Sequence, residues 1–220
     1  MIADFHTHTF LSDGGNSPIE LIRLAFANGY SVIGITDHAS YSNIDYIIEA
    51  AARDCALAQR FWNIKAIPGV ELTNIPAKSI NELAKYAKEK GAKLVVVHGE
   101  SIAENVEPGT NYNALNSDYV DILAHPGLIT LEEAKQAARK GIYLEITCRA
   151  GHCLTNGHVV KVGREAGAKF LINSDSHLHK DLYFNNMQPK VAKGAGLEED
   201  EINEIFNINV KALLKKIKYL

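Results

Sequence analysis

The sequence has few features of small secreted proteins and none of membrane-spanning ones. Its 220 residues include only three cysteines, Cys55, Cys148 and Cys153, and these form no CxxC motif. An odd and small set argues against a disulfide framework and favours a reducing compartment, so we expect a cytoplasmic protein. No apolar run approaches the length of about 18 residues that a spanning helix needs, and the first residues do not have the pattern of a signal peptide. We therefore expect no membrane segment.

The sequence also lacks a charge surplus of either sign. The formal net charge is −3 with histidine neutral, and 22% of the residues are charged. This balance gives no basic footprint for nucleic acid or an anionic membrane, and no aromatic–basic groove is visible, so long nucleic acid is a disfavoured partner. The length and the 46% hydrophobic content fit one large α/β domain with its own core, which we expect to cover residues 1–220.

What the sequence does contain is a recurring unit, in which a helical segment ends at a glycine and a short apolar run follows. Gly29, Gly91, Gly141 and Gly167 stand at these junctions, where glycine supplies the left-handed backbone that ends a helix. The runs that follow are rich in Val, Ile and Leu, as in parallel strands buried on both faces. The pattern predicts strands near 2–6, 31–36, 64–70, 93–97, 120–124, 142–147 and 169–173. Alternation with helices predicts right-handed crossovers, and seven strands suit a closed barrel better than an open sheet.

Helix starts are predicted by capping boxes, in which Ser or Thr precedes Glu by three residues. These boxes are Ser17 with Glu20, Ser79 with Glu82, and Thr130 with Glu133. The predicted helices cover 17–28, 43–61, 79–90, 131–140, 156–166 and 199–217. Residues 99–118 are predicted to be mostly irregular, with a short helix near Tyr112–Asn116.

Histidines and carboxylates follow the predicted strands at the point where each strand ends. They are His6, His8, Asp13, His38, Glu71, His98, His125, Asp175 and His177. Carboxyl ends of parallel strands meet at one edge of a barrel or sheet, where active sites form. Any one of these histidines alone would be interpreted as a hydrogen-bonded core residue. Six of the nine histidines at one edge, together with three carboxylates, indicate metal binding instead.

The ligand types narrow the choice of metal. His6 and His8 are two residues apart on a strand, so both imidazoles share a face and can bind one ion. Neutral imidazole combined with carboxylate suits zinc, iron or manganese. We therefore expect two or three divalent ions as cofactors.

Other polar residues near these motifs have open interpretations. His152, His158 and His179 are expected to face solvent or substrate rather than a metal. Asp37 either orients a ligand from behind or caps its loop. Cys148 is interpreted as a buried thiol, since its neighbours form no thiolate site.

Taken together, the segments HTHTFLSDG, GYSVIGITDH, GVE, VVVH, LAHPG and NSDSH resemble the polymerase and histidinol phosphatase (PHP) superfamily. They extend over residues 4–179, which is most of the chain. The resemblance implies an α/β fold, a distorted (βα)7 TIM-like barrel, that hydrolyses phosphoesters at a two- or three-metal site. It also implies three ligand sets: His6, His8, Glu71 and Asp175; Glu71, His98 and His125; and Asp13, His38 and His177.

The sixth strand carries a further resemblance. LEITCR is similar to the histidinol phosphatase motif in which an arginine holds phosphate, and this implies that Arg149, together with His152, contacts the substrate phosphate. We expect a small phosphorylated substrate, with histidinol phosphate the best single candidate. Water activated between two ions would attack phosphorus in line, with Asp13, His177 and Arg149 as the catalytic residues. His177, His152 or a metal-bound water could protonate the leaving group.

Three alternatives stay open at this level. The first is a phosphodiesterase or exonuclease that acts on nucleotides or short nucleic acids. The second is an amidohydrolase-like enzyme that cleaves C–N or ester bonds, although such barrels usually carry a lysine after a middle strand, where this sequence has His98. The third, a metal-binding interaction domain without activity, is disfavoured by the complete ligand set.

Overall fold

The computed structural model describes residues 2–182 and 187–219, and helices alternate with strands over most of the chain up to residue 173. The strands are Ala3–Asp4 (β1), Val32–Ile35 (β2), His38–Ala39 (β3), Lys65–Leu72 (β4), Leu94–His98 (β5), Ile122–Ala124 (β6), Tyr143–Thr147 (β7) and Phe170–Asn173 (β8). The main helices are Pro18–Ala27 (α1), Ile44–Phe61 (α2), Ile80–Glu89 (α3), Thr110–Asn116 (α4), Leu131–Lys140 (α5), Asn156–Ala166 (α6), His179–Leu182 (α7), Met187–Gly194 (α8), Glu199–Glu204 (α9) and Val210–Lys216 (α10). Among these helices, none is long and apolar enough to cross a membrane.

The strands form a nearly closed parallel barrel. Their order is β1-β2-β4-β5-β6-β7-β8, and β3 pairs with the carboxyl end of β4. The seam between β8 and β1 includes one parallel bridge, Thr7 with Ser176, and hydrogen bonds from the Phe5 amide to the Asn173 side chain (3.0 Å) and from the Ser174 amide to the Asp4 carboxylate (3.1 Å). The predicted distorted (βα)7 barrel is therefore confirmed, and the short β3 is an addition to it.

The pleat of the strands decides which side chains face into the barrel. In β5, Leu94 and Val96 pack in the interior cluster with α10, whereas Val95 and Val97 pack outward in the cluster that includes α2–α6. Because alternate residues share a face, His98 continues the inward row to the mouth of the barrel. Burial of each large apolar side chain stabilises the fold by about 1.5–3 kcal/mol.

One of the predicted capping boxes is wrong. The boxes at Ser17 and Thr130 form with both hydrogen bonds. Ser79 instead belongs to the 3₁₀ turn Ala77–Ser79, and its hydroxyl donates to the Pro76 carbonyl (2.7 Å). Its backbone is helical (φ −86°, ψ −8°) rather than extended, so the side chain cannot take the usual capping position.

The C-terminal helix is also less regular than predicted. The segment 199–217 is interrupted by one π-helical turn, Ile205–Asn209, between α9 and α10. Within this turn the Asn209 side chain donates to the carbonyl of Phe170 (3.1 Å). The predicted short helix in 99–118 is present as α4, which begins at Thr110.

Candidate metal centre

The structure brings all nine predicted ligands to the mouth of the barrel formed by the carboxyl ends of its strands. We call this set the nine-residue cluster: His6, His8, Asp13, His38, Glu71, His98, His125, Asp175 and His177. Its members occur in overlapping groups whose nitrogen and oxygen atoms all lie within 4.8 Å of one another. One of these groups also includes His152, beside His125 and Asp175.

Glu71 lies at the centre of the cluster. Its Oε1 is 3.1 Å from His6 Nε2 and 3.3 Å from His98 Nδ1, and its Oε2 is 2.6 Å from His38 Nδ1 and 3.7 Å from His8 Nε2. The carboxylate is fully buried. With His125 Nε2 3.7 Å from Oε1, five imidazoles surround this one carboxylate, and this is the arrangement that a bridging ligand requires.

Asp175 follows the end of β8, and its carboxylate contacts some of the imidazoles that also surround Glu71. Its Oδ1 lies 3.3 Å from His8 Nε2, and its Oδ2 lies 3.8 Å from His125 Nε2. Both Asp175 (φ 52°) and His125 (φ 26°) have positive φ, which costs backbone energy in residues other than glycine. The surrounding fold therefore imposes these two orientations.

Asp13 closes the outer side of the cluster from the loop after β1. Its Oδ2 is 3.3 Å from His177 Nε2 and 3.7 Å from His38 Nε2, and about half of the side chain is exposed. Partial burial raises the pKa of Asp13, but the neighbouring imidazoles of His177, His38 and His8 lower it by more. The net effect places the pKa well below its ordinary value. Asp13 is therefore an anion at neutral pH.

The donor atoms of the cluster fit divalent cations. Among the described residues, ten buried side-chain nitrogen and oxygen atoms have no hydrogen-bond partner, and seven of them belong to His6, His8, Glu71, His98 and His125. A buried polar atom without a partner is costly, and such atoms are usually explained by an ion or a function. Imidazole nitrogens and carboxylate oxygens are the ligands of zinc and of similar transition metals.

The electrostatics of the cluster set which imidazoles carry protons when no metal is bound. Burial lowers the pKa of His6, but the carboxylates of Glu145 and Glu71 outweigh it and hold that pKa well above the ordinary value. Burial also lowers the pKa of His38, yet Glu71 raises it more, to about 8. For His8 burial prevails, and its pKa falls to about 4. Protons and cations therefore compete for this site.

Glu145 in β7 is a supporting residue that the sequence analysis missed. Its Oε1 lies 2.8 Å from His6 Nδ1 and accepts from the Asn173 side chain (2.8 Å), and its Oε2 accepts from the His125 amide (3.1 Å). A carboxylate behind an imidazole fixes the tautomer and the ring orientation of a metal ligand. The signal was present in LEITCR, because a charged residue in the middle of a buried apolar strand needs a specific partner.

Asp37 holds the loop after β1 from behind and does not cap its own loop. Its carboxylate accepts from the Thr9 amide (2.7 Å), the Thr9 hydroxyl (2.8 Å) and the Ser12 hydroxyl (2.7 Å). These bonds fix the loop that carries Asp13. Cys148 is partly buried, and burial raises the pKa of its thiol, so the thiol is protonated.

The residues expected to face substrate lie on different sides of the cluster. Arg149 lines a cavity of about 690 Å³ together with Asp13 and His177, and its guanidinium is 3.8 Å from the Asp181 carboxylate. His152 is buried, stacks on His125 (ring centroids 4.2 Å apart) and contacts the Ser101 hydroxyl through Nδ1 (2.7 Å).

The other two histidines are less informative. His158 Nε2 is 2.8 Å from the Ile129 carbonyl. This contact supports the fold, whereas we had expected His158 to face solvent or substrate. His179 opens α7 and is exposed.

The loop 99–109 contributes another residue that the sequence did not reveal. Glu104 lies over the cluster, with Oε2 3.3 Å from His98 Nε2 and Oε1 3.4 Å from His152 Nε2. No motif marks this glutamate, because it comes from an irregular segment and reaches the cluster only through the path of the loop.

Comparison with known proteins gives a family. A model of the PHP domain matches residues 4–212. An uncharacterized protein of Methanocaldococcus jannaschii is 47% identical over 97% of this chain and 99% of its own length. A probable phosphatase of Thermoanaerobacter sp. is 26% identical over 99% of this chain and 96% of its own. The DNA polymerase/3'-5' exonuclease PolX of Bacillus subtilis is 26% identical over 79% of this chain, but only 34% of the polymerase is covered.

Solved structures resemble the barrel at low sequence identity and therefore bear on the fold alone. Histidinol phosphate phosphatase of Lactococcus lactis, complexed with zinc, L-histidinol and phosphate, has a TM-score of 0.63 at 17% identity, covering 89% of this chain and 94% of that one. A Xaa-Pro dipeptidase with bound methionine has a TM-score of 0.68 at 11% identity, covering 99% of this chain and 75% of the dipeptidase.

Proposed function

Given that the chain belongs to the PHP domain family, we propose that it is a metal-dependent phosphatase that hydrolyses a small phosphomonoester, with histidinol phosphate as the first candidate substrate. The observation that carries the proposal is the nine-residue cluster, with its buried and unpartnered nitrogen and oxygen atoms at the barrel mouth. Relatives named as probable phosphatases support the reaction class. The Lactococcus lactis enzyme, complexed with histidinol and phosphate, suggests the substrate.

The cluster divides into three ligand sets for two or three ions of zinc, manganese or iron. The first set is His6, His8, Glu71 and Asp175; the second is Glu71, His98 and His125; the third is Asp13, His38 and His177. Glu71 is shared by the first two sets because its Oε1 lies 3.1 Å from His6 Nε2 and 3.3 Å from His98 Nδ1. Bound divalent ions would supply Lewis acidity toward phosphoryl oxygens and lower the pKa of water.

The chain's own residues supply the remaining functions. Arg149, at the edge of the cavity that reaches Asp13 and His177, holds phosphoryl oxygens through its planar guanidinium and keeps the ester in line. Asp13 and His177 keep the outer side of the site polar and orient the ester beside Arg149. His152 is fixed through Nδ1 by Ser101, and its Nε2 contacts the Glu104 carboxylate at the edge of the site.

A second candidate function is cleavage of a phosphodiester at the same site. It is favoured by the similarity to PolX, which is named as a 3'-5' exonuclease and spans most of this chain. The net charge of −3 argues against long nucleic acid as the substrate. The amidohydrolase-like alternative has only the similarity of the barrel in its favour, and His98 stands where such enzymes usually carry a lysine.

The test is a substrate panel on the metal-loaded protein. The panel contains histidinol phosphate, other phosphomonoesters, a nitrophenyl phosphodiester and a dipeptide, and release of phosphate or amine is measured for each. We expect phosphate release from monoesters, and its loss in His8→Ala. The matched control, Glu165→Gln on the exposed face of α6, should retain full activity. A preference for the diester would favour the second candidate, and wild-type activity in His8→Ala would refute both.

A further inference from the structure

The two sides of the site mouth differ in their cationic side chains. The cavity of about 690 Å³ beside Asp13 and His177 is lined by Arg149 and Lys180, together with the Asp181 carboxylate. On the other side, cavities of about 310 Å³ and 510 Å³ are lined by Glu104 and Glu107 respectively. Along the described chain no Lys or Arg lines either of these two cavities. A substrate that crosses the mouth therefore meets Lys and Arg side chains at one end only, whereas carboxylates without them line the other end.

Glu104 is the acidic side chain that the loop 99–109 places over the cluster on that second side. Its carboxylate contacts the Nε2 atoms of His98 and His152, although about half of the side chain (52%) is exposed. No Lys or Arg of the described ranges lies within ion-pair distance of it, since its recorded ion pairs are with these two histidines alone. Its negative charge is thus oriented over the site and accessible to a ligand.

The loop that carries Glu104 is fixed at both ends. Glu100 Oε1 accepts from the amides of Gly109 (3.0 Å) and Asn111 (2.9 Å), and Asn111 Oδ1 accepts from the Glu100 amide. Further along, Glu107 Oε2 accepts from the Ala77 amide (3.2 Å). The backbone position of Glu104 is therefore held by hydrogen bonds between other side chains and the backbone, and these remain when the Glu104 side chain is changed.

We propose that Glu104 selects phosphomonoesters whose leaving group carries a positive charge close to the ester oxygen, that is, aminoalkyl phosphates. The inference rests on the proposed phosphatase function. The phosphoryl group lies toward Arg149, and the ammonium group lies toward Glu104 and forms a charge-assisted hydrogen bond with its carboxylate. An ester whose leaving group carries a further phosphate or carboxylate meets like charge at the same place and is rejected.

Three esters of similar size separate the effect of charge from that of shape. O-phosphoethanolamine ends in an ammonium group, propyl phosphate in a methyl group and phosphoglycolate in a carboxylate. Values of kcat and KM are measured for wild-type protein, Glu104→Gln, Glu104→Lys and the control Glu165→Gln, each with its bound metal determined by mass spectrometry. Binding of ethanolamine to the metal-loaded proteins in the presence of phosphate, measured by calorimetry, provides a readout that is independent of turnover.

The wild-type protein should prefer phosphoethanolamine to propyl phosphate by about fivefold in kcat/KM, the effect of one half-exposed charge pair. Glu104→Gln should abolish this preference through KM with unchanged metal content, and Glu104→Lys should shift the preference toward phosphoglycolate. Glu165→Gln should behave as wild type. In calorimetry, ethanolamine should bind to the wild type and not to Glu104→Lys.

Different failures have different meanings. If Glu104→Gln lowers kcat/KM equally for all three esters, or loses metal, Glu104 orients His98 or binds the ion, and selection by charge is refuted. An unchanged order of preference in Glu104→Lys refutes it as well. If the metal-loaded wild type releases phosphate from no ester of any charge, the proposed function itself fails.

Discussion

Replacement of Glu145 by Gln should weaken metal binding although it scarcely changes the shape of the side chain. The two carboxylate oxygens face three nitrogens: His6 Nδ1, the Asn173 side-chain amide and the backbone amide of His125. The two amides are donors, and His6 Nδ1 must also donate if its Nε2 binds a metal. An amide in place of the carboxylate has one acceptor and one NH2 group. One donor of the protein then faces the new NH2 group.

The size of the effect follows from this donor–donor contact. Glu145 is fully buried, so water cannot relieve the conflict, and an unsatisfied buried donor costs about 1–3 kcal/mol. Loss of a carboxylate behind a metal-bound imidazole typically lowers metal affinity by about 10- to 100-fold, equal to about 1.4–2.8 kcal/mol. The two estimates agree in magnitude, and we expect Glu145→Gln to bind the first ion about 10- to 100-fold more weakly.

The assay is competition for zinc against a chelator of known affinity, with circular dichroism to verify folding. Tyr143→Phe is the matched control, because Tyr143 lies two residues earlier on the same buried face of β7 and packs in the interior cluster away from the ligands. That variant should bind zinc as the wild type does. A folded Glu145→Gln protein with wild-type zinc affinity would refute the role assigned to Glu145.

Three further predictions concern protonation, substrate contact and backbone strain. The pKa of His38 is raised to about 8, and only a neutral imidazole binds metal. Metal binding near pH 7 should therefore release protons, and the affinity should rise as the pH increases through about 8. Calorimetric enthalpies of metal binding that do not vary between buffers of different ionisation enthalpy would contradict this. Arg149→Ala should raise KM for the preferred phosphomonoester by about 10-fold or more, because a charge-assisted contact is lost, and an unchanged KM in protein with full metal content would exclude the contact. Gly127→Ala should lower the melting temperature far more than Gly141→Ala. Both glycines have a φ of 63°. An added Cβ at Gly127 would lie 1.8 Å from the Glu100 carbonyl oxygen, whereas an added Cβ at Gly141 would meet open space. Equal losses in thermal denaturation would show that the close approach to Glu100 is unimportant.

The barrel and the position of the cluster could be predicted because they depend on local patterns. Glycine-ended helices followed by apolar runs mark the βα units, and the parallel arrangement places every strand end at one mouth. His98 illustrates this: its inward direction follows from the alternation along Leu94, Val96 and His98, which the sequence already contains. Such predictions require only the period of the strand and the order of the elements.

The features that the sequence could not predict depend on contacts between distant segments. Glu104 reaches His152 across a separation of 48 positions because hydrogen bonds to Glu100 fix its loop. The failed capping box at Ser79 has a local cause instead, since a preceding 3₁₀ turn changed the conformation of the backbone. In each case the decisive information is the path of an irregular segment, which residue types and spacing do not encode.

The seam between β8 and β1 has a consequence for how the two ends of the barrel stay joined. Backbone pairing there amounts to one bridge, while His6 and His8 on one side face Asp175 on the other. A cation bound by these three side chains would connect the first and last strands where their backbone pairing is limited to one bridge. Loss of the ion would then first separate the first strand from the last. The same event would remove the metal from the site and open the barrel.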